Sequence, residues 1–383
     1  MKIQFPSTEI RTFAALAASL IFSWCATVNI ASSQEIRIGI VTDQSGLNSD
    51  VSRDYIAGAR TFFDHTNALG GINGRKISVI SKDDEGNAAN TVLLTRELIE
   101  KDKADVLFGF IGDDGLVALS KDAYFKASKM TLYAPLSGIE LGSAPDHIYF
   151  VRPTYRDEAK HIVQHFALLG NTTFAIVASN NAFGAGIAGE FAEQLKARGL
   201  NLVNRSILNN DLKNVDAINR DLSRLKAQVV VIAADTIATA EFLKSFRPQN
   251  KGANVVGFST VNHRTLIELA SPDFAESVML TQVVPHPDAN NSKLQAEHRA
   301  LMKKYRDEPP SHVTLEGFVA GKGLVRALER SGKDLSRANI ASAFSGEKRF
   351  DLEGMTLVFT PKSDRGSNFV DLTFLRKTGK LVQ

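Results

Sequence analysis

The sequence predicts an α/β fold of two lobes, each a parallel central sheet covered by helices, joined by a multi-stranded hinge. Three observations carry this expectation. Apolar runs of strand length alternate with helical patterns along nearly all of the 383-residue chain, the rhythm of parallel sheets buried on both faces. That rhythm restarts after Val151-Arg-Pro153. The length remaining behind an N-terminal export segment is also more than one hydrophobic core normally serves, so two domains are the default.

The export segment comes first. Lys2 and Arg11 precede an apolar run from Phe13 to Trp24, and the small residues Ala31, Ser32 and Ser33 follow at a suitable cleavage position, so residues 1–33 read as a signal peptide. The run is shorter than the roughly 20 residues a membrane span needs. A retained amphipathic anchor is the alternative. The chain's single cysteine, Cys25, and single tryptophan, Trp24, both fall in this segment, so a mature chain starting near Gln34 is expected to contain neither, nor any disulfide. Lipidation of Cys25 is discounted because Ser23 and bulky Trp24 precede it.

The charge is close to balanced, with Lys+Arg 45 against Asp+Glu 42, and losing Lys2, Glu9 and Arg11 leaves it nearly neutral. Interspersed signs give no clustered basic face, so nucleic acid is not an expected partner.

From Glu35 onward the pattern predicts a strand at 36–41, a polar loop at 42–50 and a helix at 54–69. Strands at about 76–81, 105–110 and 130–134 follow, separated by helices at about 90–101 and 114–128. Gly70 and Gly71 supply the backbone freedom to end the first helix, and Asn73-Gly74 is a turn before the next strand. The second lobe is predicted as helix 156–169, strand 173–178, helix 183–198, strand 201–207, helix 213–225, strand 228–233, helix 236–246 and strand 254–258. It ends in a strand at about 278–285, after which helices at about 291–305 and 313–330 return to the first lobe and a β-rich stretch at 354–375 closes the chain. The expected division is therefore 34–153 plus 284–353 for the N-terminal lobe and 154–283 plus 354–383 for the C-terminal lobe.

A family resemblance is carried by residues 35–40, Asn67-Ala-Leu-Gly-Gly-Ile-Asn-Gly-Arg-Lys76, Asp83-Asp84, residues 108–112, Arg152-Pro-Thr-Tyr155 and Phe183-Gly184, which occur in this order. The chain resembles the type I periplasmic binding proteins, built of two Rossmann-like lobes, and more narrowly the leucine/isoleucine/valine-binding branch that serves ABC importers. Tyr155-Arg-Asp-Glu158, Thr281-Gln-Val-Val-Pro285, Leu315-Glu-Gly-Phe318 and residues 366–372 resemble a subgroup of that branch. The resemblance implies ligand contacts from the loops and helix starts at the carboxyl ends of strands, where open α/β sheets generally bind ligands. Mapped here, those loops are 43–48, 112–115, 135–138, 152–155, 180–184, 234–236 and 259–261. The residues so implied are Gln44, Ser45, Asp113, Asp114, Gly115, Ser137, Gly138, Tyr155, Asn181, Phe183, Asp235, Thr236, Ser259 and Thr260.

Three of them depart from the amino-acid-binding pattern. Asp113, followed by Asp114, stands where a hydroxyl residue usually meets the ligand carboxylate; Ser259 stands where an acidic residue meets the ligand ammonium; and Asp235 stands where an aromatic is common. A carboxylate repels a carboxylate, so either Asp113 turns away to cap its own helix or the solute presents no anion there. Tyr155 and Phe183 are candidates for an apolar wall, with ordinary packing as the alternative. Ser137-Gly138 offers a hydroxyl and backbone N–H, or is simply a loop.

Signals for chemistry are set aside. Gly184-Ala-Gly-Ile-Ala-Gly189 matches a dinucleotide fingerprint, but residues 179–183 separate it from its strand. His161 and His165 lie four apart without a third ligand, and Asp83-Asp84-Glu85-Gly86 lacks the alternation of a calcium loop and reads as a strand-end turn. No nucleophile elbow, H-E-x-x-H or mature cysteine is present. The expectation is thus a non-enzymatic periplasmic receptor with no cofactor or metal, monomeric, closing on an amino acid or related small polar solute and delivering it to an ABC permease in the inner membrane. A ligand sensor for a signalling system is one alternative. An exported hydrolase using Asp113, Asp114 or Asp235 is another.

Overall fold

The computed structural model describes residues 1–2, 35–142 and 147–382. Ile36–Gln383 forms one compact unit and Met1–Glu35 another; the export segment, with Trp24 and Cys25, lies outside the described residues. No helix among the described residues is long and apolar enough to cross a membrane.

The first sheet is built from β1 (Ile36–Thr42), β2 (Ile77–Asp83), β3 (Val106–Phe108), β4 (Leu132–Tyr133) and β5 (Ile148–Tyr149), in the order β2-β1-β3-β4-β5. All its pairings are parallel. Because strand side chains alternate, Ile36, Ile38 and Ile40 enter one core with Val106 and Phe108, while Val41 and Leu107 enter a second core on the opposite face. The first face is covered by α1 (Ser49–Ala68) and α12 (His312–Ser331). The opposite face is covered by α2 (Ala88–Glu100), α3 (Asp113–Lys121) and α4 (Ala123–Ser128). The single helix expected over 114–128 is two, because Asp122 adopts an extended backbone and its side chain accepts from Phe125 N at 2.7 Å, capping α4.

The glycine turn behaves as its sequence predicts. Gly70, Gly71 and Gly74 all have positive φ. Asn67 then ties the end of α1 to β2, accepting from Ile77 N at 2.8 Å and donating to Ile77 O at 2.9 Å.

Helices α1 and α12 pass backbone to backbone. A Cβ added at Gly58 would strike Thr314 O, and one added at Gly317 would strike Tyr55 O. Gly317→Ala is therefore expected to force the helices apart and cost about 1–3 kcal/mol in urea unfolding, the usual range for overpacking; an unchanged midpoint would show that the contact can yield.

The second sheet contains β6 (Thr173–Ser179), β7 (Asn201–Leu208), β8 (Val229–Ala233), β9 (Asn254–Gly257), β10 (Val278–Gln282), β13 (Asp371–Leu375) and β14 (Leu381–Val382), in the order β14-β13-β10-β9-β8-β6-β7. Its parallel part repeats the strand order of the first sheet, and β13 and β14 add antiparallel at one edge. It is packed by α5 (Tyr155–Leu168) and α6 (Ala182–Lys196) on one face. On the other lie α7 (Val215–Leu225), α8 (Thr236–Phe246), α9 (His263–Ala270) and α10 (Pro272–Ala275). The last two were not anticipated, and neither was α13 (Arg337–Phe344) in the first lobe.

The chain crosses between the sheets around 150–155, 283–292 and 360–370. After the second crossing it forms α11 (Lys293–Tyr305), α12, α13 and a hairpin of β11 (Lys348–Asp351) and β12 (Thr356–Phe359). Met355, Leu357 and Phe359 pack in the first core. Residues 354–359 thus belong with the first lobe rather than the second, because the apolar face of the hairpin is buried against α13; only β13 and β14 join the second sheet. The first and third crossings are bonded to each other, Phe150 N donating to Asp364 O and Gly366 N to Phe150 O, both at 2.8 Å. Arg365 clamps them, donating to the carbonyls of Ser137, Arg152 and Pro153 at 3.3 Å each and to that of Ile139, with its guanidinium 4.0 Å over the Phe150 ring.

Candidate functional site

A cleft of about 300 Å³ opens at the carboxyl ends of the strands of both sheets. In each sheet this is where the strand order reverses, between β1 and β3 and between β6 and β8, the place where an open α/β sheet leaves a crevice. From the first lobe the cleft is lined by the loop after β1 (Asp43 and Gly46 to Asn48), the turn after β2 (Asp84 to Gly86) and the start of α3 (Gly112 to Gly115); from the second by Asn181, Phe183, Asn210, Asp235 and Thr260, with Tyr155 at the first crossing.

Of the sequence-implied residues, Asp113, Asp114, Gly115, Tyr155, Asn181, Phe183, Asp235 and Thr260 line this cleft, and Gln44, Ser45, Ser137, Gly138, Thr236 and Ser259 do not. Gln44 turns to the end of β2, its N donating to Asp83 Oδ1 at 2.9 Å and its amide to Ser81 Oγ at 3.0 Å. Ser45 also bonds Asp83. Thr236 accepts from Asn262 N at 3.1 Å. Ser259 is turned into the hinge, where it accepts from Arg152. Ser137 and Gly138 lie behind the wall and hold it: the Ser137 hydroxyl donates to Asp113 Oδ1 at 2.5 Å, and Gly138 O accepts from Tyr155 N at 2.9 Å.

Asp113 does not cap its own helix. The N-cap of α3 is Gly112, and no side chain caps it. The Asp113 carboxylate points instead to the Ser137 hydroxyl and the Tyr155 hydroxyl, the latter at 3.0 Å. Burial pushes its pKa up to about 6, against the two hydroxyl donors and the charge of Arg152. Asp114 reaches across the cleft, its Oδ1 accepting from Ala182 N at 3.1 Å at the start of α6, so the lobes touch there. Asn181 caps α6 through Gly184 N, and Asp235 caps α8 through Ala238 N, both at 2.9 Å; such caps are each worth about 1 kcal/mol.

Tyr155 opens α5 beneath a Thr154–Asp157 capping box. Its ring meets Phe183 edge to face at 5.2 Å, and Phe258 stands behind both at 6.4 and 6.3 Å. This is an apolar wall of fixed geometry.

Sequence reasoning missed the turn after β2. Asp84 is buried, accepting from the Thr91 hydroxyl at 2.6 Å and Gly86 N at 3.1 Å, and Glu85 beside it takes a positive φ. Asp43 is buried too, holding its loop through Gly46 N at 2.5 Å and Asn48 N at 2.9 Å. The signal that could have found Asp84 was strand order: β2 pairs directly with β1, in a register that sets Asp83 beside Thr42. Burial raises the pKa of Asp84 and of Asp235, and in both the like charge of Asp43 adds to it.

Under the cleft lies a buried ionic network. Arg152 Nη2 is 3.6 Å from Glu158 Oε1 on α5 of the second lobe, and its Nε is 3.5 Å from Glu316 Oε1 on α12 of the first. Glu158 also accepts from Ser259 N at 3.2 Å and from the Thr281 hydroxyl.

Two lobes of like topology, a cleft walled by both and several crossing segments beneath it define a bilobal solute receptor. The comparisons agree: residues 35–379 match the periplasmic binding protein family, and the chain belongs to that family. Similar proteins include an "Amino acid binding protein" of Pseudomonas aeruginosa, 21% identical and covering 84% of this chain and 87% of its own length, and "Leu/Ile/Val-binding protein homolog 7" of Brucella melitensis, 24% identical with 82% and 81% covered. Among solved structures, a substrate-binding periplasmic protein from Ralstonia solanacearum has a TM-score of 0.85 at 23% identity, covering 91% of this chain and all of its own. A branched-chain amino acid ABC transporter protein from Thermus thermophilus with bound valine has a TM-score of 0.81 at 18% identity, covering 91% of this chain and 95% of its own. The family is one of binding proteins and not of enzymes, which sets the exported-hydrolase alternative aside.

Proposed function

We propose that this protein is the extracytoplasmic solute-binding component of an ABC importer, exported to the periplasm by its N-terminal segment and capturing a small polar solute of amino-acid size. The observation that carries this reading is the cleft, walled by side chains from both lobes over a hinge of crossing segments. A ligand touching both walls favours the closed arrangement by its differential affinity for it, and a permease partner reads that arrangement. The protein acts as a monomer. The names of the relatives, and the valine in the Thermus thermophilus structure, support a ligand of amino-acid dimensions.

Small-angle scattering on the purified protein tests the mechanism. A solute shown by calorimetry to bind should reduce the radius of gyration, and at 100 times its dissociation constant should add about 2.7 kcal/mol of stability. Saturation with no change in the scattering profile would contradict closure.

A further inference from the structure

The side chains around the cleft decide the charge of what it can hold. Asp43, Asp84, Glu85, Asp113, Asp114 and Asp235 line it, whereas no arginine, lysine or histidine is among its lining residues. The hydrogen-bond donors described for these carboxylates are neutral: backbone N–H groups for Asp43, Asp114 and Asp235, joined at Asp43 by the Asn48 amide, a hydroxyl and an N–H for Asp84, and two hydroxyls for Asp113. Such donors stabilise a carboxylate but leave its charge in place. Arg152, whose charge reaches Asp113, is committed beneath the cleft to Glu158 and Glu316.

Closure sharpens the imbalance. The first lobe brings Asp43, Asp84 and Glu85 and the second brings Asp235, so approach of the lobes concentrates like charge in a space that is losing water, where Coulomb terms grow. An anion would add to this repulsion, and a neutral zwitterion would leave the net charge uncompensated. A cation cancels it and binds the two walls together.

Two features choose the kind of cation. The carboxylates sit on separate loops, and among the described residues no three acidic, histidine or cysteine side chains converge as a metal-holding group. The Tyr155 and Phe183 rings supply the surface that favours an alkyl-bearing ammonium. The start of α3, which no side chain caps, also leaves backbone N–H groups for an oxygen of the solute.

We infer that the solute is an organic cation of net positive charge, an amine or a basic amino acid, gripped by carboxylates from both lobes with its apolar part against Tyr155 and Phe183. This rests on the receptor reading above: family membership and the inter-lobe cleft make the place a site, and the charge of its walls names the ligand class.

Calorimetry and scattering with 1,4-diaminobutane, choline, L-arginine, L-leucine, succinate and calcium chloride test it. At least one of the first three should bind and close the lobes, more weakly as sodium chloride is raised; diaminobutane or choline would identify the amine source and arginine the amino-acid source. Asp84→Asn and Asp235→Asn, which keep hydrogen-bonding ability, should each weaken that cation roughly tenfold while melting as cooperatively as the parent. Should one fail to fold, the other gives the same readout. Unchanged affinity in the folded variants would overturn the assignment. So would binding of leucine, succinate or calcium with none of the organic cations, although closure by any of them would leave the receptor reading standing. Failure of all three organic cations to bind overturns the charge inference by itself.

Discussion

Arg152→Ala should destabilise the folded protein by about 3–5 kcal/mol, the range for removing one partner from a buried ion pair. Arg152 is 1% exposed, Glu158 0% and Glu316 4%, so no solvent is at hand to replace the guanidinium. Burial works against the charge on Arg152, but Glu316 and Glu158 more than offset it and hold the group protonated. Burial has already pushed Glu316 up to about 7, against the pull of Arg152 and with a push from Glu158. Without the guanidinium, two buried carboxylates would face each other and one would have to take a proton. Urea unfolding should therefore show the full loss at pH 8 and a smaller one at pH 5. A loss under about 1 kcal/mol, the size of an exposed pair, would show that water reaches the network. Because Glu158 lies in the second lobe and Glu316 in the first, the variant should also loosen the hinge, with closure by a bound solute less complete in scattering.

Asp113→Asn should act in the opposite direction and raise stability at neutral pH. In the unfolded chain the carboxyl titrates near 3.8, and in the folded protein burial moves it to about 6. Below pH 3.8 both states hold the proton and the substitution changes little. As pH rises to 6 and beyond, the folded parent must give up a proton it binds more tightly than the unfolded chain does, so its stability falls relative to a side chain that cannot ionise. A shift of this size corresponds to about 3 kcal/mol at most, less whatever Asn loses in accepting from only one of the Ser137 and Tyr155 hydroxyls. Melting temperatures across pH 4 to 8 check it: the variant's advantage should grow with pH and level off above about 7. A constant difference would show that Asp113 is not the group titrating. The cation grip proposed above adds a second expectation, that the same substitution weakens binding of the solute.

The residues differ in how far they could be read from the sequence. The β-α alternation, the glycine turn at 67–76 and the restart after Pro153 were legible because each rests on local periodicity or on backbone freedom at a glycine. The break at Asp122 was less so, since a short polar residue caps one helix or interrupts another depending on what packs beside it. Tyr155, Asn181, Phe183 and Asp235 could be placed at helix starts beside a crevice by resemblance. Ser137 and Ser259 could not be told apart from them, because whether a hydroxyl faces the crevice or the hinge depends on Asp113 in one case and Arg152 in the other. The expected boundary at 353 splits the hairpin at 348–359 and puts 354–359 in the wrong lobe, as nothing in the local pattern says which core receives Leu357 and Phe359.

By itself the sequence determined that this chain makes two similar α/β lobes, because burial on both faces of a parallel strand is written in consecutive residues. Only the tertiary structure decided that Asp84, on the turn after β2, shares a space with Asp43, Asp113 and Asp235. The physical reason is that charge acts through distance in space: strand order and the approach of two lobes gather carboxylates from distant parts of the chain around one small volume.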